Sequence, residues 1–186
     1  MRKQEREGRF ALVILDMLNL FDFPEGKELS RASLPVAKSI LRLKKRLKAK
    51  KVPVIYVNDN FGKWQSNWKN VFEVCSAEGR PGRDIARILK PDDDDYFVLK
   101  PKHSGFYSTT FDLLLKHLKV QKLILTGIAG NICVLFTAHD AHMRDYQVIV
   151  PRDCTASNKR SENEFALRQM REALGLRTPV SSSLRV

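Results

Sequence analysis

Several familiar signatures are missing from this chain of 186 residues. There is no G-x-G-x-x-G and no G-x-x-x-x-G-K-[ST], so no glycine-rich cradle for a nucleotide's phosphates is encoded. No G-x-S-x-G elbow presents a nucleophilic serine. Cysteine is scarce: Cys75, Cys133 and Cys154 are an odd number without a C-x-x-C pair. That count argues against a disulfide framework and for a reducing compartment, so a cytoplasmic protein is expected. Of four histidines, His139 and His142 are three apart in a helical stretch, but no third ligand accompanies them. No apolar run approaches the ~20 residues that a membrane span needs. The charged first eight residues lead straight into a strand, which leaves no room for a signal peptide.

Acidic residues are also missing from one long stretch. Between Arg31 and Lys51 there are nine basic residues and none of opposite sign. The rest of the chain is nearly balanced, with 24 basic against 21 acidic residues, so most of the net charge of +12 belongs to this segment. Val36, Ala37, Ile40, Leu41, Leu43 and Leu47 recur near helical spacing. The segment therefore reads as an amphipathic helix over 34–50, begun by Ser33 and Pro35, with a solvated basic face. It carries no interleaved aromatics, so neither nucleic acid nor membrane is expected as a partner.

What remains is an alternation. Strands are expected near 10–15, 53–57, 96–99, 122–126 and 146–150, with a sixth at 177–180. Helices are expected near 34–50, 82–89, 108–118, 132–143 and 161–174, the last opened by a Ser161–Glu164 capping box and closed by Gly175. Alternation of this kind predicts a single α/β domain over 1–186: a three-layer, Rossmann-like α/β/α sandwich around a mostly parallel sheet of about six strands. The acidic turn Asp92–Asp95 reads as solvated, and the tail after Pro179 as mobile or used between subunits. A homo-oligomer is expected.

In parallel α/β sheets, ligands bind beyond the carboxyl ends of the strands. Asp16 follows the first strand, and Lys100-Pro-Lys102 follows the third. Cys133 follows the fourth, in Thr126-Gly-Ile-Ala-Gly-Asn-Ile-Cys133-Val. A thiol at a helix start lies among unpaired N–H groups, which favour a thiolate and can hold an oxyanion. Position alone leaves two readings of Cys133 open, a nucleophile and a buried structural cysteine.

Taken together, these segments resemble the isochorismatase-like cysteine hydrolases, the family of nicotinamidases and N-carbamoylsarcosine amidase, over roughly Phe10 to Val180. The resemblance implies a catalytic set of Asp16, Lys102 and Cys133 that hydrolyses a small-molecule amide or carbamoyl C–N bond through a thioester. It also implies a cis peptide at Ile128–Ala129 and an oxyanion hole from Ala129 and Cys133. Nicotinamidases of this family carry a metal after strand two, in an Asp-x-His segment. Here Asp59 matches the acid, but Phe61 stands where the first histidine belongs, so no metal and no cofactor are expected. Phe21, Trp64, Phe106 and Tyr107 are candidate pocket walls, and Asn131, Asn19 and His103 candidate polar contacts. Two other classes stay in view: a catalytically silent binding or assembly module, and a vinyl-ether hydrolase of the isochorismatase type, whose members lack the cysteine.

Overall fold

The computed structural model describes residues 8–63 and 67–186. Five parallel strands form one sheet: β1 (Arg9–Leu15), β2 (Val54–Asp59), β3 (Tyr96–Lys100), β4 (Val120–Gly127) and β5 (Gln147–Ile149). Their order is β3-β2-β1-β4-β5. The chain winds outward from β1 through β2 to β3, then crosses back to β4 and β5. The reversal falls between β1 and β4, which places a topological switch point at their carboxyl ends.

Alternation along the strands supplies the two cores. Ala11, Val13 and Leu15 of β1 face one side, where α4 (Phe111–His117), α5 (Leu135–His142) and α6 (Arg160–Glu172) pack. Leu12 and Ile14 face the other, against α1 (Gly26–Lys48) and α3 (Arg83–Ile88). A short α2 (Trp68–Ser76), capped by the Asn67 side chain, packs on α3. Each fully buried leucine or isoleucine in these layers contributes about 1.5–3 kcal/mol. The expected three-layer sandwich is therefore present, with five strands and not six. Residues 177–179 do run beside β5, through bonds from Val150 N–H to Arg177 O and from Arg152 N–H to Pro179 O. Pro179 has no N–H to extend that ladder, and the chain turns away at once.

Three boundaries differ from expectation. The first helix begins at Gly26, eight residues early, where a Cβ would lie 2.3 Å from Phe21 O. Ser33 does not cap it. Its hydroxyl donates to Leu29 O, and Pro35 lies inside the helix instead of opening it. The last helix starts after Lys159 with no side-chain cap, so Ser161 sits inside its first turn. The tail is docked and not mobile: the Ser181 N–H and hydroxyl donate to Asp153, Arg46 donates to Ser181 O, and Leu184 is buried.

The basic face of α1 is only partly solvated, and the acidic turn is its partner. Lys44 is 3% exposed, with Nζ 2.5 Å from Asp95 and 3.1 Å from the Tyr56 hydroxyl. Lys48 reaches Asp92, Asp94 and Asp95 together. Those three carboxylates are the one group of acidic or thiol and imidazole ligands, among the described residues, close enough to share a metal ion, and an ammonium already fills it. Contact with Lys48 lowers the pKa of Asp92 and of Asp94, in both cases against a smaller opposing effect of burial. Their share of stability is thus present above the ordinary aspartate range and is lost as pH falls through the lowered values.

Removing Lys44 leaves the buried Asp95 carboxylate to Lys48 and the Asp92 N–H alone. Lys44→Met should therefore cost about 1–3 kcal/mol in a urea unfolding titration, less than the loss of a buried carboxylate's only cation. Exposed Lys45→Gln should stay within about 0.5 kcal/mol of the parent.

Candidate active site

Three of the strand ends converge. Asp16 follows β1 with φ 51°, a left-handed conformation that aspartate tolerates better than most residues, and its side chain turns inward until the residue is 4% exposed. Its Oδ1 accepts the Asp59 N–H at 2.7 Å. Asn58 clamps the same turn: its Oδ1 accepts the Leu18 N–H, and its Nδ2 donates to Leu18 O. The end of β1 is thereby tied to the end of β2.

The lysine that meets Asp16 is Lys100, not Lys102. Lys100 is the last residue of β3, fully buried, with Nζ 2.8 Å from Asp16 Oδ2 and 3.5 Å from Cys133 Sγ. Lys102 is exposed and reaches neither. Strand alternation explains the difference. Val98 and Lys100 project to the same buried side of β3, and after Pro101 the chain has left the sheet. Register completes the placement, because Asp59 and Lys100 are paired across β2 and β3.

Cys133 lies in a wide π-helical turn, Gly130–Val134, that runs directly into α5. The turn is reached through Gly127, whose φ of 112° and whose Cα, where a Cβ would fall 2.0 Å from Leu15 O, admit only glycine. The Ile128–Ala129 peptide is cis. Gly130 N–H donates to Ala156 O and Asn131 N–H to the Ser157 hydroxyl, so both are occupied. Among the described residues, the N–H groups of Ala129 and Cys133 donate to nothing outside their own turn. They remain available to an incoming oxygen.

The charges are set by burial and by one another. Burial raises the Asp16 carboxyl above its ordinary value of 3.8, with the Lys100 ammonium working against that rise. Burial also works against the Lys100 ammonium, but Asp16, Cys133 and Asp59 outweigh it and hold its pKa above the usual lysine value. Burial and then the Asp16 charge push the Cys133 thiol up, more than Lys100 pulls it down. The expectation of a thiolate stabilised by a helix start is therefore corrected. Burial and Asp16 hold the sulfur toward its protonated form, beside a carboxyl group able to take the proton. Among the described residues, Asp16 Oδ2 accepts no backbone N–H and is paired with the Lys100 ammonium at 2.8 Å, which leaves it a further lone pair for the thiol proton.

The other candidates divide. Phe21 is buried and packs on Gly82 and Phe23, and its N–H occupies the Asn19 side chain. Phe106 is a core residue between Phe111, Tyr146 and Arg144. Tyr107 is exposed. His103 lies against the exposed Phe136. Asn131 is turned to α6, where its Nδ2 donates to Glu162. Trp64 lies outside the described residues. Cavities of about 440 and 310 Å³ lie nearby and share Asn60 and Lys63, but neither is lined by Asp16, Lys100 or Cys133. Among the described residues, Asp59 belongs to no group of three or more acidic, thiol or imidazole ligands close enough to share a metal ion. Asn60 Oδ1 accepts the Gly62 N–H, and Phe61 packs beside Leu18 and Cys75.

Sequence reasoning passed over Lys100, Asn58 and the backbone role of Asp59. The signal for Lys100 was a lysine closing an apolar strand in step with Val98. For Asn58 it was an amide at the end of a buried Val-Ile-Tyr-Val run.

Known proteins resemble this chain in sequence and in fold. An uncharacterized isochorismatase family protein of Bacillus subtilis, YaaI, is 47% identical over 164 residues, which are 88% of this chain and 90% of that protein. The ureidoacrylate amidohydrolase RutB of Serratia proteamaculans is 29% identical over 78% of this chain and 68% of its own length. The structure of N-carbamoylsarcosine amidase from Thermoplasma acidophilum superposes with a TM-score of 0.73 at 26% identity, covering 96% of this chain and 99% of that one. The nicotinamidase SaPncA from Staphylococcus aureus shares the fold, with a TM-score of 0.71 at 20% identity over 92% and 98% of the two chains. The isochorismatase domain model matches residues 10–181, and the chain belongs to the isochorismatase family.

Proposed function

We propose that the protein is a cysteine hydrolase that cleaves an amide or carbamoyl C–N bond of a small molecule, with Cys133 as nucleophile, Asp16 as base and Lys100 as the cation that holds them in register. The observation that carries this reading is the buried contact series from Asp16 Oδ2 through Lys100 Nζ, 2.8 Å, to Cys133 Sγ, 3.5 Å. A binding module has no need of a charged pair kept out of water beside a thiol, since burying charges is costly. The amide-cleaving relatives RutB and N-carbamoylsarcosine amidase support the same reaction class.

The chemistry follows from the geometry. Asp16 Oδ2 accepts the thiol proton as sulfur attacks the carbonyl carbon. The growing negative charge on oxygen is met by the Ala129 and Cys133 N–H groups. The C–N bond breaks, and Asp16 returns its proton to the leaving nitrogen. Water then attacks the thioester, gives a proton to Asp16, and releases the acid as the C–S bond breaks and sulfur recovers that proton. Lys100 stays charged throughout. It draws Asp16 toward the carboxylate form and supports the thiolate that exists only during attack.

Three outcomes are expected with any substrate that the enzyme turns over. Cys133→Ala should have no measurable turnover while keeping the circular dichroism of the parent. Lys100→Met should lower kcat by a factor of about 100 or more, because the base loses the charge that keeps it ionised and the thiolate loses its cation, whereas Lys102→Met should stay within a few-fold. Retained activity in Cys133→Ala, or equal effects at the two lysines, would contradict the assignment.

The pH profile has a defined sign. The active form needs Asp16 ionised, and its pKa lies above 3.8. The acid limb of kcat/KM should therefore have its midpoint above 3.8, with activity falling as pH falls. Asp16→Asn should lower activity across the whole range instead of shifting the limb.

A further inference from the structure

Asp59 handles no proton in the reaction just described, although its charge helps to keep Lys100 protonated. Its backbone N–H holds Asp16, but its side chain does something else. Oδ1 accepts the Phe61 N–H at 2.6 Å, which fixes the carboxylate's orientation. Oδ2 turns toward the reacting groups, 3.9 Å from Lys100 Nζ, too far for a direct hydrogen bond. Among the described residues Oδ2 accepts none, and the side chain is 39% exposed while Asp16 and Lys100 beside it are closed off. Lys100 thus connects Cys133 Sγ on one side, at 3.5 Å, with Asp59 Oδ2 on the other, at 3.9 Å. The open carboxylate oxygen and the nucleophile are separated by no more than the length of a small molecule.

We infer that Asp59 is a specificity residue that accepts a hydrogen bond from a second nitrogen on the scissile carbon, and so selects ureido (carbamoyl) substrates over simple carboxamides. This rests on the hydrolase reading above. A carboxylate can only accept hydrogen bonds, so its partner on the substrate must be an N–H or O–H donor. In a simple carboxamide the scissile carbon carries a single nitrogen. That nitrogen departs and must receive the proton held by Asp16. In a ureido group the carbon carries two. One departs toward Asp16, and the other keeps its N–H and can point at Asp59. A site that hydrogen-bonds a substrate N–H discriminates strongly against an analogue without it, because the protein's polar group is otherwise left unpaired.

Matched pairs test the inference. N-carbamoylglycine and succinamate differ only in that an NH of the first is a CH2 in the second; N-carbamoyl-β-alanine and glutaramate form another such pair. Initial rates of ammonia release should favour the ureido member of a pair by tenfold or more in kcat/KM. Asp59→Asn, which keeps the shape and an acceptor for the Phe61 N–H, should erase most of that advantage by raising KM for the ureido member at least fivefold more than for its carboxamide partner, whatever common loss in kcat the two share through Lys100. A wild-type enzyme without preference for the ureido members, including one that hydrolyses none of them, would overturn the inference. So would an Asp59→Asn variant that loses only kcat, equally on both members, since that is the mark of a residue acting only through Lys100. The hydrolase reading is separately legible in the same assay: Cys133-dependent turnover of the carboxamides alone keeps it intact while this inference fails.

Discussion

The ion pair between Asp16 and Lys100, 2.8 Å apart and sealed from water, is the constraint around which the carboxyl end of the sheet is organised. Two opposite charges in such a place need continuous support, because either alone would face the full cost of desolvation. The support is visible residue by residue. The Asp59 N–H satisfies one oxygen of Asp16, Asn58 ties the following turn to β2, and the register of β2 with β3 sets Lys100 opposite Asp59. β2 lies between the two strands that carry the pair, so its last residues have to carry the bridge across it. Cys133 then needs only to arrive from β4, on the other flank of β1, and the glycine at 127 lets the chain pass close enough to do so.

Much of this was legible in the sequence. Five apolar strands, their alternation with helices, and the polar residues at the ends of β1 and β4 follow from pattern alone, because a two-residue period and a strand-end position are local properties. The lysine was not. Lys100 and Lys102 flank a proline, both follow the same apolar run, and the choice depends on which side of β3 each occupies and where the sheet stops. The pocket aromatics were harder still. Phe106 and Phe21 are apolar residues near a site, but their rings were claimed by the core, as burial in this chain generally dictates. An aromatic residue has no signature that separates a pocket wall from a packing partner until the fold is known.

The basic helix gives the same lesson in charge. Read along the chain, α1 is a run of unopposed cations. In the fold its inner edge is met by Asp92, Asp94 and Asp95, more than 40 residues away in sequence. Local composition reports how many charges there are and is silent on which of them meet. Lys44 contributes to the formal charge and yet behaves as a core residue, stacked near Tyr56 and paired with a buried carboxylate.

The central claim is that Lys100 makes Cys133 reactive by keeping Asp16 ionised beside it. The most direct measurement is the rate of Cys133 alkylation by iodoacetamide as a function of pH, followed by peptide mass spectrometry in the parent protein, in Lys100→Met and in Lys102→Met. Near neutral pH, Cys133 in the parent and in Lys102→Met should react fastest of the three cysteines, through proton removal by Asp16. In Lys100→Met that neutral reactivity should be lost and return only in alkaline solution. An unchanged Cys133 profile in Lys100→Met would contradict the account.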